Sequence, residues 1–292
     1  MANPRNSKAV PPDVIGKFQH KLPYSTYSER MGVNASGLKD LLKSPGHYRA
    51  LSLAPNEPSD AMRKGSLLHA LLLEPERQCD VQAKEVFLPG DDGKGEPERY
   101  TRTAYDQARA MADGILRNEV ARQLLAKGQS EVSLWWHDPT HNLLCKGRMD
   151  FVSQAVVGKP LALDIKSARD NDERSFARDS VTYRYDLQAA HYCEGGRETG
   201  LYQHNAFAFV VVESKPPYHC IVYFVGEDAD GNYKHDDGFL STGSQWREYA
   251  MRLYGRCMER GQWPFPEARR LRLPGWAPAP QDLIDRKELE DV

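Results

Sequence analysis

The chain has no long hydrophobic run. Nowhere do roughly 18 apolar residues follow one another, so no segment reads as a membrane span. Its opening residues, Met1-Ala2-Asn3-Pro4-Arg5, lack the apolar centre of a secretory leader. Cysteine is sparse: Cys79, Cys145, Cys193, Cys220 and Cys257 are scattered, odd in number and contain no Cys-x-x-Cys pair. This indicates neither a zinc ribbon nor a disulfide framework, and it suits a reducing cytosol. An excess of charge is missing too. Lys and Arg number 39 against 41 Asp and Glu, a net charge of -2, which is not the footprint of a protein that coats nucleic acid. Attraction to phosphate would have to come from a local basic groove or a bound cation, and should weaken at high salt.

What is present points to chemistry at a sheet. Leu143 to Val152 and Leu161 to Lys166 read as strands, joined through the turn-forming Gly158-Lys159-Pro160. Alternate side chains of a strand share a face, so Asp164 and Lys166 point one way while Ile165 points into the core. If the two strands pair, Asp150 of Gly147-Arg148-Met149-Asp150 converges with Asp164, with Lys166 beside them. Two carboxylates and a lysine can hold Mg²⁺ and position a water for attack on phosphorus. A half-exposed strand with a surface ion pair is the plainer alternative.

Three further features bear on that choice. Leu68, Leu71, Leu72 and Pro75 recur at helical spacing, so Ala61 to Leu73 reads as a buried helix carrying His69. His69 is either a satisfied core histidine or an imidazole ligand for a divalent ion. Gly65, on the same helix face, costs stability within a helix and suggests a close approach there. Glu131 begins an expected strand over 130–137, where a solvated strand end is the alternative to a site carboxylate. Tyr185, Gln188 and Tyr192 fall on one helix face. A glutamine within that stripe fits a purely apolar role poorly.

The remaining text fills in the frame. Residues 1–23 read as a polar, mobile arm. Ser36 is expected to cap a short helix ending near Ser44, and Pro45 to open another through Leu53. Leu88 to Arg99 reads as an exposed loop, and Thr101 to Asn118 as a helix. Strands are expected near 130–137, 143–153, 160–167, 204–213 and 217–226, with a helix near 184–198. Ser214-Lys215-Pro216-Pro217 links the last two strands, and Ser244 is expected to cap a long helix ending at Gly261. The tail over 267–292 carries Arg269-Arg270-Leu271-Arg272 and then an acidic stretch. Its basic cluster suits DNA, solvent or another subunit equally.

The order Gly-x-x-x-His, Glu, Gly-x-x-Asp, Asp-x-Lys and Tyr-x-x-Gln-x-x-x-Tyr resembles the PD-(D/E)xK nucleases of the RecB and phage-exonuclease type. Val33 to Tyr48, with its Ser44-Pro45-Gly46-His47-Tyr48, and Arg63-Lys64-Gly65 through Glu74-Pro75 resemble more narrowly the RecE-type exodeoxyribonucleases, the exodeoxyribonuclease VIII family. The likeness runs from about Tyr24 to about Pro266, with Asp164 where many relatives carry Glu. It implies an α/β fold: a restriction-endonuclease-like core with a mixed central β-sheet flanked by helices, and helical N-terminal additions. The nuclease domain would span 24–266, mostly helical over 24–128 and catalytic over 129–262. The resemblance also implies roles. His69, Asp150, Asp164 and the Ile165 carbonyl would hold Mg²⁺, for which Mn²⁺ would substitute. Glu131 would serve a second ion or the water, and Lys166 the nucleophile. Gln188 and Tyr192 would support the ligands or touch the DNA backbone. Lys43, His47 and Arg49 are candidates for a 5′-phosphate site by loose analogy, and surface charges otherwise. The lack of a cysteine cluster argues against the iron–sulfur branch of these nucleases.

As an activity, the resemblance implies digestion of linear duplex DNA from 5′ ends, leaving 3′ single strands. It implies a ring-shaped homo-oligomer threaded on DNA, and a partner of the RecT type that anneals the strands. A cytoplasmic location, in a bacterial or phage-infected cell, goes with it. Three alternatives stand beside this reading: an endonuclease or repair nuclease of the same fold, a non-catalytic DNA-binding assembly subunit, and an unrelated metal hydrolase. Cutting of closed circles would mark the first, and intact His69, Asp150, Asp164 and Lys166 argue against the second. The third gives the Gln188 and Tyr192 helix no role.

Overall fold

The computed structural model describes residues 7–54, 58–91, 93, 96–155, 159–226 and 238–265. In chain order the elements are β1 (Lys17–Gln19), α1 (Tyr24–Glu29), α2 (Ala35–Lys43), α3 (Pro45–Leu53), α4 (Asp60–Leu73), β2 (Asp80–Val81), β3 (Glu85–Leu88), β4 (Glu98–Thr101), α5 (Arg102–Arg117) and α6 (Glu119–Leu125). They continue with β5 (Gly128–His137), β6 (Leu144–Ser153), β7 (Leu161–Ala168), α7 (Glu173–Tyr183), α8 (Tyr185–Glu198), β8 (Ala206–Glu213), β9 (Cys220–Gly226) and α9 (Phe239–Arg260).

Six strands form one mixed sheet in the order β1-β5-β6-β7-β8-β9. Only the β7–β8 pair is parallel, and α7 and α8 make the crossover between them, as a parallel pair requires. The expected α/β architecture, a mixed sheet flanked by helices, is therefore present. One face packs on α2, α7, α8 and α9 through Leu38, Leu41, Phe176, Leu187 and Met251. The other packs on α4, α5 and α6 through Leu67, Leu68, Met111, Ile115 and Leu124. With both faces covered, the β8 run Ala206–Val212 is buried throughout. None of the described helices is long and apolar enough to cross a membrane.

Several local expectations need correction. The segment read as a mobile arm contributes β1, which extends the sheet along β5. Buried Val10 and Val14, packed with Tyr27 and Trp135, anchor it. Two isolated valines in polar text leave no periodic signal. The stretch read as a loop over 88–99 joins β3 to β4 in a small antiparallel sheet with β2. Buried Val86, Leu88 and Tyr100 fix that sheet on the α4–α5 core. Asn34 rather than Ser36 caps α2, its Oδ1 accepting from the Gly37 amide at 2.9 Å. The Asn34 backbone is extended, as an N-cap requires. Helix α9 begins at Phe239, ahead of Ser244, and is preceded by a left-handed Gly238. Helices α6 and α7 were not expected. Only Phe176 and Ser180 of α7 are buried, too few to give a stripe. Gly158 and the tail beyond 266 lie outside the described residues.

One buried cation ties the N-terminal elements to the sheet. Lys146 of β6 is 1% exposed, and its ammonium donates to the carbonyls of Tyr27 at 3.0 Å, Ser28 at 3.3 Å and Arg30 at 2.6 Å. It thereby caps the end of α1, whose last carbonyls have no partner within the helix. Lys146→Met is expected to leave these carbonyls unpaired and lower stability by ~2–4 kcal/mol in urea unfolding. A loss below ~0.5 kcal/mol would mean that α1 does not need this cap.

Candidate active site

Three carboxylates sit at one level of three neighbouring strands. The registers Ser130↔Phe151 and Val132↔Met149 place Glu131 of β5 opposite Asp150 of β6. Extending Phe151↔Leu163 by one residue places Asp150 opposite Asp164 of β7. Like charges facing one another across strands are destabilising. The backbone yields at this level. Glu131 takes a left-handed φ of 52°, uncommon for a residue with a side chain. The β6–β7 ladder stops after Phe151↔Leu163, and the Asp150 carboxylate, instead of a β6 carbonyl, accepts the Ile165 amide at 2.7 Å. Strain of this kind concentrates at functional sites.

Each carboxylate has a cationic or polar neighbour. His69 of α4 brings Nε2 to 3.6 Å from Asp150 Oδ2 and 3.1 Å from the Ile165 carbonyl oxygen. Arg148 pairs with Glu131 through Nε and also donates to the Leu22 carbonyl at 2.6 Å. Asp164 is buried; its Oδ1 accepts from Gln188 Nε2 at 2.6 Å. Its Oδ2 meets the Lys166 ammonium as an ion pair, without a well-directed hydrogen bond. The Lys166 ammonium also lies 4.8 Å from the Tyr185 ring centre. Gly147 leaves room for Tyr192, because a Cβ there would come within 3.1 Å of its ring.

The sequence-predicted residues His69, Glu131, Asp150, Asp164, Ile165, Lys166 and Gln188 are thus brought together. Tyr192 belongs with them electrostatically. Burial, then Tyr27, Asp164, Asp150 and Glu131, holds its phenol well above the usual range, so it stays a neutral hydroxyl. Lys43, His47 and Arg49 enter differently. Lys43 pairs with Asp40 at 3.1 Å, and His47 Nδ1 lies 2.7 Å from Ser44 Oγ with its ring against Phe265. The basic side chain of α2 that reaches the site is Lys39, whose ammonium donates to Gln188 Oε1 at 2.7 Å and stands 5.3 Å from the Tyr185 ring centre. Burial, reinforced by the Lys166 ammonium, draws Lys39 down to about 7. With Oε1 toward Lys39, Gln188 must present its NH₂ to Asp164.

Lys39 and Arg148 were missed by sequence reasoning. Lys39 lies in an amphipathic helix where a lysine signals only a solvated face, and Arg148 reads as an ordinary strand residue. Gly65 is a correction: a Cβ there would meet nothing, so no close approach explains it. It leaves open space one turn before His69.

The donor set suits a hard divalent cation. One ligand atom each from His69, Glu131 and Asp150 lies within 4.8 Å of the others, and Asp164 adds a buried oxygen that lacks a well-directed hydrogen bond. Oxygen-rich sites with one imidazole fit Mg²⁺ and Mn²⁺.

Without a cation, protons carry the balance. Burial, then the Asp164 charge, pushes Asp150 up to about 7, against the attraction of His69 and Lys166. Burial opposes the charged form of His69, but Asp150, Glu131 and Asp164 together outweigh it and raise its pKa.

Comparison with known proteins gives the chain's family and fold. Residues 34–266 match the family model described as a PDDEXK-like domain of unknown function (DUF3799), and the chain belongs to that family. It is therefore a member of the PD-(D/E)xK nuclease superfamily. A crystal structure of a candidate exonuclease from Eubacterium rectale is 17% identical, with a TM-score of 0.52, covering 86% of this chain and 92% of that one. At that identity it speaks for the fold alone. A phage-related exonuclease from Haemophilus somnus is 11% identical, with a TM-score of 0.34, covering 80% of this chain and 97% of that one. No curated protein matches the chain. Family and fold together support a nuclease.

The pH dependence of stability follows from the two raised groups. A carboxyl raised from 3.8 to about 7 holds its proton more tightly in the folded chain than in the unfolded one. Stability from Asp150 is therefore present at low pH and is lost as pH rises through that window. His69, also raised, loses its contribution in the same direction, as pH rises through its folded pKa. In EDTA at pH 8, Asp150→Asn is expected to be more stable than the native chain by ~1–3 kcal/mol, with the gain shrinking by pH 5. A destabilised variant at pH 8 would mean that the carboxylates do not repel one another.

Proposed function

We propose that this chain is a Mg²⁺-dependent deoxyribonuclease of RecE type, degrading linear double-stranded DNA from its ends. The observation that carries the reading is the level shared by Glu131, Asp150 and Asp164, with Lys166 on the Asp164 carboxylate. His69, Glu131, Asp150, Asp164 and the Ile165 carbonyl would hold the ion. When bound, a divalent cation there supplies charge stabilisation at a phosphate and a more acidic water.

The chain's own residues do the rest. Lys166, fixed between Asp164 and the Tyr185 ring, holds a positive charge where the attacked phosphodiester gathers negative charge. Gln188 locks the Asp164 carboxylate, and Lys39 locks Gln188. Tyr192 stays a neutral hydroxyl within electrostatic reach of the carboxylates. These groups address phosphate rather than base edges, so cleavage independent of sequence is expected.

The motifs shared with RecE-type enzymes support 5′-to-3′ digestion leaving 3′ tails for recombination by strand annealing. They equally support a ring-shaped homo-oligomer, a RecT-type annealing partner and action in the cytosol. Lys43, His47 and Arg49 stay candidates for a 5′-phosphate site.

The test is digestion of end-labelled linear duplex in Mg²⁺ beside a covalently closed circle. The linear DNA is expected to disappear and the circle to survive. Asp150→Ala and Asp164→Ala should be folded and inert. Turnover like that of the native chain in either variant would sink the assignment, and cutting of the circle would make the protein an endonuclease. Lys166→Ala should bind metal and DNA but lose ~2–4 kcal/mol in the chemical step, read as a slower single-turnover rate at saturating Mg²⁺. A collapse of metal affinity with an unchanged rate at saturation would contradict that role.

A further inference from the structure

A cluster of exposed aromatic rings lies beside the site and takes no part in the chemistry described. Tyr183 is 56% exposed, Trp246 37% and Tyr249 48%, unusual exposures for such large rings. They come from three places: the end of α7, and two successive turns of α9. Their assembly is built. Gly243 of α9 lies so close to the start of α8 that a Cβ would land on the Asp186 carbonyl. This approach sets Trp246, one turn later, beside the α7–α8 junction. There Arg184 takes a left-handed φ of 54° and lays its guanidinium 4.0 Å from the Trp246 ring centre. Trp246 and Tyr249 meet edge to face at 6.2 Å.

The cluster is continuous with the catalytic groups. Tyr183 packs on Tyr185 at 5.8 Å, and Tyr185 carries the Lys166 ammonium. Contacts therefore run from Asp164 through Lys166 and Tyr185 to Tyr183, and the next residue in the chain, Arg184, lies on Trp246. Any strand whose phosphate reaches Lys166 has neighbouring bases within reach of that path. Within a duplex those bases are stacked on one another and hidden, except for one face of the end pair. A run of unpaired bases offers free faces along its length, and exposed aromatic rings with an interleaved arginine are what such faces stack on.

We propose that Tyr183, Trp246 and Tyr249, with Arg184 between them, form a stacking platform for unpaired bases of the strand at the active site. The ligand is single-stranded DNA, held with little regard to sequence, because every base has a face to stack. The proposal rests on the nuclease reading for the identity of the polymer. It adds a second place where the strand is gripped, outside the carboxylate site. Asp186 pairs with Arg184 at 3.3 Å and offsets its charge, so stacking by the rings rather than phosphate pairing by Arg184 is the source of grip.

The experiment measures binding of a fluorescein-labelled oligothymidylate and of a blunt duplex of equal length, in EDTA, by anisotropy. The native chain is compared with the double variant Trp246→Ala, Tyr249→Ala and with Trp246→Phe. Molar mass by light scattering and a thermal melt accompany each. The double variant should lose at least ~10-fold in affinity for the single strand, with mass and melting temperature unchanged. Trp246→Phe should keep most of the affinity, and duplex binding should fall less than single-strand binding. Unchanged single-strand affinity in the double variant would overturn the platform, as would a native chain that cleaves duplex but binds no single strand. A fall in molar mass would assign the rings to contact between copies of the chain and would also overturn it. A native chain that neither cleaves linear duplex nor binds either DNA would instead mark failure of the nuclease reading, and the platform would fall with it.

Discussion

The structure turns on repulsion among three carboxylates held at one level of a sheet. Glu131, Asp150 and Asp164 would not sit across from one another in a sheet built only for stability. The fold keeps them there by surrounding them with groups from separate elements: His69 from α4, Arg148 from β6, Lys166 from β7, and Lys39 acting through Gln188 of α8. It also gives way locally. The left-handed Glu131 and the early end of the β6–β7 ladder are the backbone's response to that crowding.

The two covered faces of the sheet serve this arrangement. One supplies His69 on a helix anchored by Leu67 and Leu68, and the other supplies Gln188 on a helix anchored by Leu187. The site lies between them, at the level where the β6–β7 pairing stops. A site on packed helices and strands holds its geometry better than one on loops. The wide separation in sequence, from Lys39 to Tyr192, follows from a site built by the central strands and by helices on both faces of the sheet.

Legibility in the sequence followed period and motif. The strands that carry the site announce themselves by alternation, and α4 and α8 by their apolar stripes. Thus His69, Asp150, Asp164, Lys166 and Gln188 could be placed together before any coordinate was known. The resemblance to PD-(D/E)xK nucleases bound those scattered residues into one site. Residues that act only through long-range contacts were not legible. Lys39 looks like any surface lysine of α2 until the chain folds it onto Gln188, and Arg148 looks like any strand arginine. Short elements were missed for a related reason: β1, β3 and β4 are three or four residues long and bury at most two of them, below what a period can reveal. A glycine in a helix does not by itself mark a close approach: the space beside Gly65 is open, and the close approaches are at Gly147 and Gly243.

In the metal-free chain a proton held by the Asp150–His69 pair stands in for a divalent cation. Calorimetric titration of the metal-free chain with Mn²⁺ near neutral pH, in two buffers of different protonation enthalpy, tests it most directly. Binding should release about one proton per ion, seen as a heat that changes with the buffer, because ligands must shed protons to bind metal. A heat independent of the buffer, or no binding in the native chain, would contradict it.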